Sequence, residues 1–266
     1  MTPKTVPAKS SPLKIGWFST GRGEGSYGLL KSGIDAIESG KLNAEISFVF
    51  VNRIEGQTRK TDQFLNLIKS KNIPLVTLSS RDFRRSKNNK PWSELRKEFD
   101  RTAIELLKPY QADIAVQAGY MLIAPILCKK YLTLNLHPAL PGGTIGVWQQ
   151  AVWDVINGEL KETGAMIHVA TEKVDQGPVL SMTKFSVRGH EFDPLWEQLT
   201  SYDLDSIKSD PGEELPLFQA IRQAGLLRER PMLIATIKAV AEGRINPEGS
   251  EGIVDLTEEV ESLIYG

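Results

Sequence analysis

The chain has 266 residues, 41% of them hydrophobic and 24% charged, with a formal net charge of −1. That size can bury a large core, and the near-neutral balance excludes a general attraction to nucleic acid or anionic membrane. The single cysteine, Cys128, excludes an internal disulfide framework and suits a reducing cytoplasm, and no apolar run approaches the roughly 20 residues of a bilayer span.

Residues 1–12 carry Pro, Lys, Thr and Ser without the apolar stretch of a secretory signal, which predicts a disordered tail. From Leu13 strand-like and helix-like segments alternate. Residues 13–19 read as a strand followed by a glycine-rich turn. Leu29, Leu30, Ile34 and Ile37 then recur at helical spacing through residues 26–39, and Gly40 ends the pattern. The continuous apolar run 46–51 predicts a strand buried on both faces. A helix over 58–70 puts Phe64, Leu65 and Ile68 on one side, and residues 74–78 read as a third strand. The basic run Arg81, Arg84, Arg85, Lys87 and Lys90 reads as a solvated loop, with an electrostatic funnel for an anionic substrate as the alternative. An amphipathic helix over 92–108 precedes a fourth strand over 113–118. The run from Tyr131 to Leu134 predicts a strand ending at Asn135, with a helix near 148–157 and two more strands near 165–169 and 179–187.

Such alternation with short connections predicts an α/β fold, a Rossmann-like and mostly parallel central sheet with helices on both faces. After Val187 the pattern loosens. Residues 189–215 contain Asp-Pro, Pro-Gly and many charges around a short amphipathic piece at 195–199, and read as an excursion. A helix over 228–242 ends at Gly243, and the last twenty residues predict a polar linker with one short helix over 257–264.

Ligands of open α/β sheets gather at the carboxyl ends of the strands. Two features fall there. The turn Gly21-Arg22-Gly23-Glu24-Gly25-Ser26-Tyr27-Gly28 follows a strand and opens a helix, so its free amides and the helix dipole favour an anion. It formally fits G-x-G-x-x-G, yet the second strand ends in Asn52-Arg53 and not in the acidic residue of a dinucleotide site; Arg53 leaves a 2′-phosphate cofactor open. The second feature is Asn135-Leu136-His137-Pro138. Alternation puts Asn135 and His137 on one side of the strand, and Pro138 holds His137 extended. Asp175, in the turn Asp175-Gln176-Gly177-Pro178, supplies a carboxylate that would favour protonated His137. An imidazolium beside a primary amide makes a pair of donors for a developing oxyanion, and the carboxylate can take up a proton. Asn135, His137 and Asp175 therefore predict acyl-transfer chemistry. His168, His190 and Cys128 lack metal-ligand spacing, and no metal is expected.

At residues 135–141 and 174–179 the chain resembles the folate-dependent formyltransferases, most closely the branch that acts on glycinamide ribonucleotide. The likeness runs from about Leu13 to Ile245, with support at 19–23, 50–53, 118–121, 167–169 and 241–245. It implies a formyltransferase domain over residues 13–246, with 189–227 as an insertion and 247–266 as an extension. It implies 10-formyltetrahydrofolate as co-substrate, small-molecule partners, a monomer or homodimer, and oxyanion stabilisation by Asn135 and His137 supported by Asp175. Gly23, Glu24, Gly25, Ser26 and Tyr27 would hold a ribose phosphate, and Glu229 the ribose hydroxyls. Met121, Leu122 and Ile123 with Thr171, Glu172, Lys173 and Val174 would line the pterin pocket. The chain departs from the family pattern at Ala139, where a serine is usual, at Leu122, where an arginine is usual, and in a longer phosphate turn. Transfer to a sugar nucleotide or to methionyl-tRNA, and a non-catalytic nucleotide-binding protein, are the alternatives.

Overall fold

The structure, a computed structural model, describes residues 11–122, 124–201, 206–249 and 252–266. Most of the tail predicted at residues 1–12, and Ile123 of the expected pterin pocket, lie outside the described residues.

Eight strands form one sheet: β1 (Leu13–Ser19), β2 (Ala44–Val51), β3 (Leu75–Thr77), β4 (Ile114–Gln117), β5 (Thr133–His137), β6 (Glu162–Val169), β7 (Val179–Ser186) and β8 (Val254–Asp255). Their order is β3-β2-β1-β4-β5-β6-β7-β8, and β6 alone runs antiparallel to both neighbours. Between the strands run α1 (Glu24–Glu38), α2 (Arg59–Ser70), α3 (Ser80–Ser86), α4 (Trp92–Leu107), α5 (Leu127–Lys130), α6 (Trp148–Asn157), α7 (Asp193–Leu199), α8 (Pro216–Ala241) and α9 (Thr257–Tyr265).

Strand alternation divides the core. Trp17, Val49, Val51 and Val116 face α1, α2, α8 and α9, while Phe18, Phe48, Phe50 and Ala115 face α4 and α5. A third cluster joins α6 and α7 to the first half of α8 through Trp153, Trp196, Leu217, Phe218 and Ile221. The second half of α8 returns to the main core through Met232, Leu233, Ala235 and Ile237. Between these apolar ends α8 carries a polar stretch with Arg222, Arg228, Glu229 and Arg230. Buried Arg228 pairs through two bonds with Glu261, at 2.6 and 3.0 Å, and docks α9 on α8.

Three segments differ from the sequence expectation. The first part of the basic run is not a loop but α3, which holds Arg81, Arg84 and Arg85 and whose N-cap Ser79 accepts from the Asp82 amide; Lys87 and Lys90 follow in a turn. The cations of the run are spent locally: Arg85 on Asp82, Arg84 on the Lys90 carbonyl, and Lys87 on Glu98. The helix predicted from residue 228 starts instead at Pro216 and absorbs the last twelve residues of the insertion expected at 189–227. Pro231 is the reason, because it suits a first helical turn and so marks a false start at 228. The polar linker near the C-terminus adds β8 to the sheet edge, parallel to β7. No described helix is long and apolar enough to cross a membrane.

Candidate active site

β5 ends at His137, and the antiparallel register with β6 sets Asn135 opposite His168. The loop after β6 brings Asp175 back to this end of the sheet. Gly177 permits that return, since any side chain there would collide with the Val169 carbonyl. Asp175 itself adopts a left-handed backbone, φ 51°, which its short polar side chain tolerates.

The predicted trio meets. The Asn135 amide Nδ2 donates to Asp175 Oδ1 at 3.3 Å, and His137 Nδ1 stands 3.5 Å from Asp175 Oδ2. The Gly146 amide donates to the same Oδ2 at 3.0 Å. His137 is 2% exposed, and its Nε2 donates to the Thr144 carbonyl at 2.7 Å. A carbonyl can only accept, so Nε2 carries a proton. Burial, the largest influence on Asp175, pushes its carboxyl up. The His168 hydrogen bond, the His137 charge, the Gly146 amide and the His168 charge outweigh it and hold the carboxyl below its ordinary range. An ionised carboxylate thus supports a donor pair in a nearly dry pocket.

His168 is the site residue that sequence reasoning missed. It is 1% exposed, and its Nε2 lies 3.1 Å from Asn135 Nδ2 and 3.3 Å from Asp175 Oδ1. Its Nδ1 faces the Val169 carbonyl at 3.1 Å, which places a proton there. The signal available was a histidine in an otherwise apolar strand a few residues before Asp175.

The other expected residues fall into two groups around the trio. On one side, Thr20 Oγ1 accepts from the Met121 amide at 3.0 Å and ties the loop after β4 to the end of β1. Leu122 packs partly buried on the aromatic cluster. Deeper in, the buried Asp100 carboxylate accepts from the amides of Ile126 and Leu127, at 2.8 and 3.2 Å, and anchors α5 behind this loop. Thr171 Oγ1 closes a small turn by accepting from the Lys173 amide, and exposed Glu172 pairs with Lys129 at 3.0 Å. Met121, Ile145, Val147 and Val174 are exposed by 67, 54, 65 and 42%, so the loops bearing the trio present an apolar rim.

On the other side, α1 begins at Gly23 without a side-chain cap, which leaves its first amides to a ligand or water. Glu24 and Gly25 open into a cavity of about 1000 Å³ that Glu229 and Arg230 also line. Glu229 in turn lines a small hollow of about 20 Å³ beside Pro138, the residue after His137. Ser26 is buried and bonds the Gly23 carbonyl, while Tyr27 lies toward α2 beside Lys60 and Gln63. The structure therefore gathers Glu24, Gly25 and Glu229 and leaves Tyr27 apart. Gly28 has a packing role: the Arg230 guanidinium crosses α1 where a Cβ would stand.

Fold and site together describe an α/β transferase with an Asn-His-Asp centre at the carboxyl end of a mostly parallel sheet. A profile of the formyl transferase family matches residues 22–193, and the chain belongs to that family. It is 31% identical over 162 residues to phosphoribosylglycinamide formyltransferase of Dictyostelium discoideum, covering 57% of this chain and 74% of that one. The enzyme of the same name from Escherichia coli is 30% identical over 166 residues, 59% and 68% of the two chains. Glycinamide ribonucleotide transformylase 1 from Symbiobacterium toebii shares the fold, with TM-score 0.63, 19% identity, and coverage of 89% and 91%.

Proposed function

We propose that this protein transfers the formyl group of 10-formyltetrahydrofolate to the amine of glycinamide ribonucleotide, the acceptor named by its curated relatives. The observation that supports this reading most strongly is the carboxylate of Asp175, held at once by the Asn135 amide and beside the His137 ring. The amine attacks the formyl carbon, and the carbonyl oxygen becomes an oxyanion that accepts from the Asn135 amide and the Nε2–H of His137. The formyl oxygen takes the place that the Thr144 carbonyl holds on the ring. As the intermediate collapses, the new C–N bond stays and the bond to N10 of the folate breaks. The proton lost by the amine passes, through Asp175 and water, to N10. Each preorganised donor of this kind contributes on the order of 10²-fold in rate.

The loops at Met121, Leu122 and 171–174 hold the folate, whose flat rings suit the apolar rim. Gly23, Glu24, Gly25 and Ser26 take the acceptor phosphate at the uncapped start of α1, and Glu229 takes its ribose hydroxyls. The free cysteine Cys128 fits a reducing cytoplasm, where the protein would act as a monomer or homodimer. The test is a panel of amines supplied with 10-formyltetrahydrofolate while tetrahydrofolate release is followed. Glycinamide ribonucleotide should be the best acceptor. No release with it, but release with a sugar nucleotide or methionyl-tRNA, would change the acceptor and keep the reaction.

A further inference from the structure

Glu229 does not stand alone on α8. Arg222 lies seven residues earlier, two turns up the same face, and its Nη1 donates to Glu229 Oε1. The two side chains are only 17% and 14% exposed, so solvent screens the pair weakly. The Arg222 guanidinium also lies over the ring of Trp148, the first residue of α6, 4.4 Å from its centre. Trp148 in turn packs against Phe218 of α8. The ring, the guanidinium and the carboxylate thus lie in contact beside Pro138, between the catalytic strand and the large cavity. Arg222 lies beyond the residues matched by the family.

We propose that Arg222 is a positioning residue for the acceptor, and this rests on the reading of Glu229 as the group that takes the ribose hydroxyls. Arg222 holds Oε1 and leaves Oε2 directed to a vicinal diol, which can only donate to a carboxylate. Its charge also offsets that of Glu229, which would otherwise repel an acceptor whose phosphate binds in the same cavity. The planar guanidinium is suited to this double duty, since it stacks and donates at the same time. The consequence is a division of labour: substitution at Arg222 alters how well the acceptor is held and leaves the chemical step and the folate site intact.

Steady-state kinetics of Arg222→Met, Arg222→Lys, Glu229→Gln and the double variant Arg222→Met/Glu229→Gln, with 10-formyltetrahydrofolate and glycinamide ribonucleotide, test this. Arg222→Met should raise the acceptor KM about 10-fold, with kcat within about 2-fold and the folate KM unchanged. Arg222→Lys, which keeps the charge, should recover part of that loss. The double variant should be no worse than the poorer single one, because both act through one contact. An unchanged acceptor KM in Arg222→Met, or multiplied losses in the double variant, overturns the proposal. If Arg222→Met does not fold, Arg222→Lys decides: an acceptor KM identical to that of the unaltered protein contradicts a role for the guanidinium. A Glu229→Gln variant with normal acceptor KM would instead sink the reading of Glu229 on which the proposal stands.

Discussion

The two walls of the cleft are built by different means. The catalytic wall stands on strand ends: Asn135 and His137 on β5, His168 on β6, and Asp175 returned by the next loop. Sheet register fixes these groups, and ladder hydrogen bonds and buried neighbours hold them from every side. The opposite wall is the polar middle of α8, suspended between two apolar segments and carrying the Arg222–Glu229 and Arg228–Glu261 ion pairs. A strand end leaves little room for variation, because a one-residue slip would turn every side chain to the other face. A helix face can exchange single side chains while its ends stay packed. On the proposed function, the chemistry sits where geometry is rigid, and acceptor recognition where it can be changed one residue at a time.

The contrast is broken or sharpened most by Asp175→Asn. The account expects kcat to fall by roughly 10² or more with little change in acceptor KM, the reverse of the pattern predicted for Arg222. Equal effects on both constants would show that the two walls are not separable. The pH profile sharpens the same point. The Asp175 carboxyl is held below its ordinary range, so its ionised form persists as pH falls through the usual carboxylate range. An acid limb in kcat/KM above pH 5 that disappears in Asp175→Asn would contradict the geometry.

A smaller effect is expected behind the folate side of the catalytic wall. Burial raises the Asp100 carboxyl to about 6, against the opposing amides of Ile126 and Leu127 and the charge of Arg96. Its folded-state value lies above the unfolded one, so the protonated form favours folding. That contribution is complete below about pH 4 and is lost as pH rises through about 6, a change on the order of 2 kcal/mol. Asp100→Asn should accordingly raise the thermal midpoint at pH 7.5 by a few degrees and flatten its dependence between pH 4 and 6. A lower midpoint would mean that the bonds to Ile126 and Leu127 outweigh the burial cost.

What the sequence disclosed follows the same division. The parallel sheet was legible because its strands are apolar runs punctuated by glycine, and Asn135 and His137 could be placed on one side from period-two alternation and Pro138 alone. Asp175 could be joined to them by its Gly-Pro turn and its charge, although the antiparallel excursion of β6 that returns it has no local signature. His168 was passed over for that reason: it gains its partners from register with Asn135, which pattern does not reveal. On α8 a proline that suits a first turn concealed twelve residues of helix, and with them Arg222. α3 escaped because its charges outweighed the signal of Ser79 three residues before Asp82, a helix-capping arrangement.

The central claim is that the donors at Asn135 and His137 drive formyl transfer from the folate. Its most direct test is a single-turnover experiment with formyl-labelled 10-formyltetrahydrofolate and saturating glycinamide ribonucleotide, run on the unaltered protein and on His137→Ala. The account predicts label in the acceptor amide with the unaltered protein, and transfer slowed at least about 10²-fold in the variant while it still binds folate. Equal transfer rates in the two proteins would contradict it.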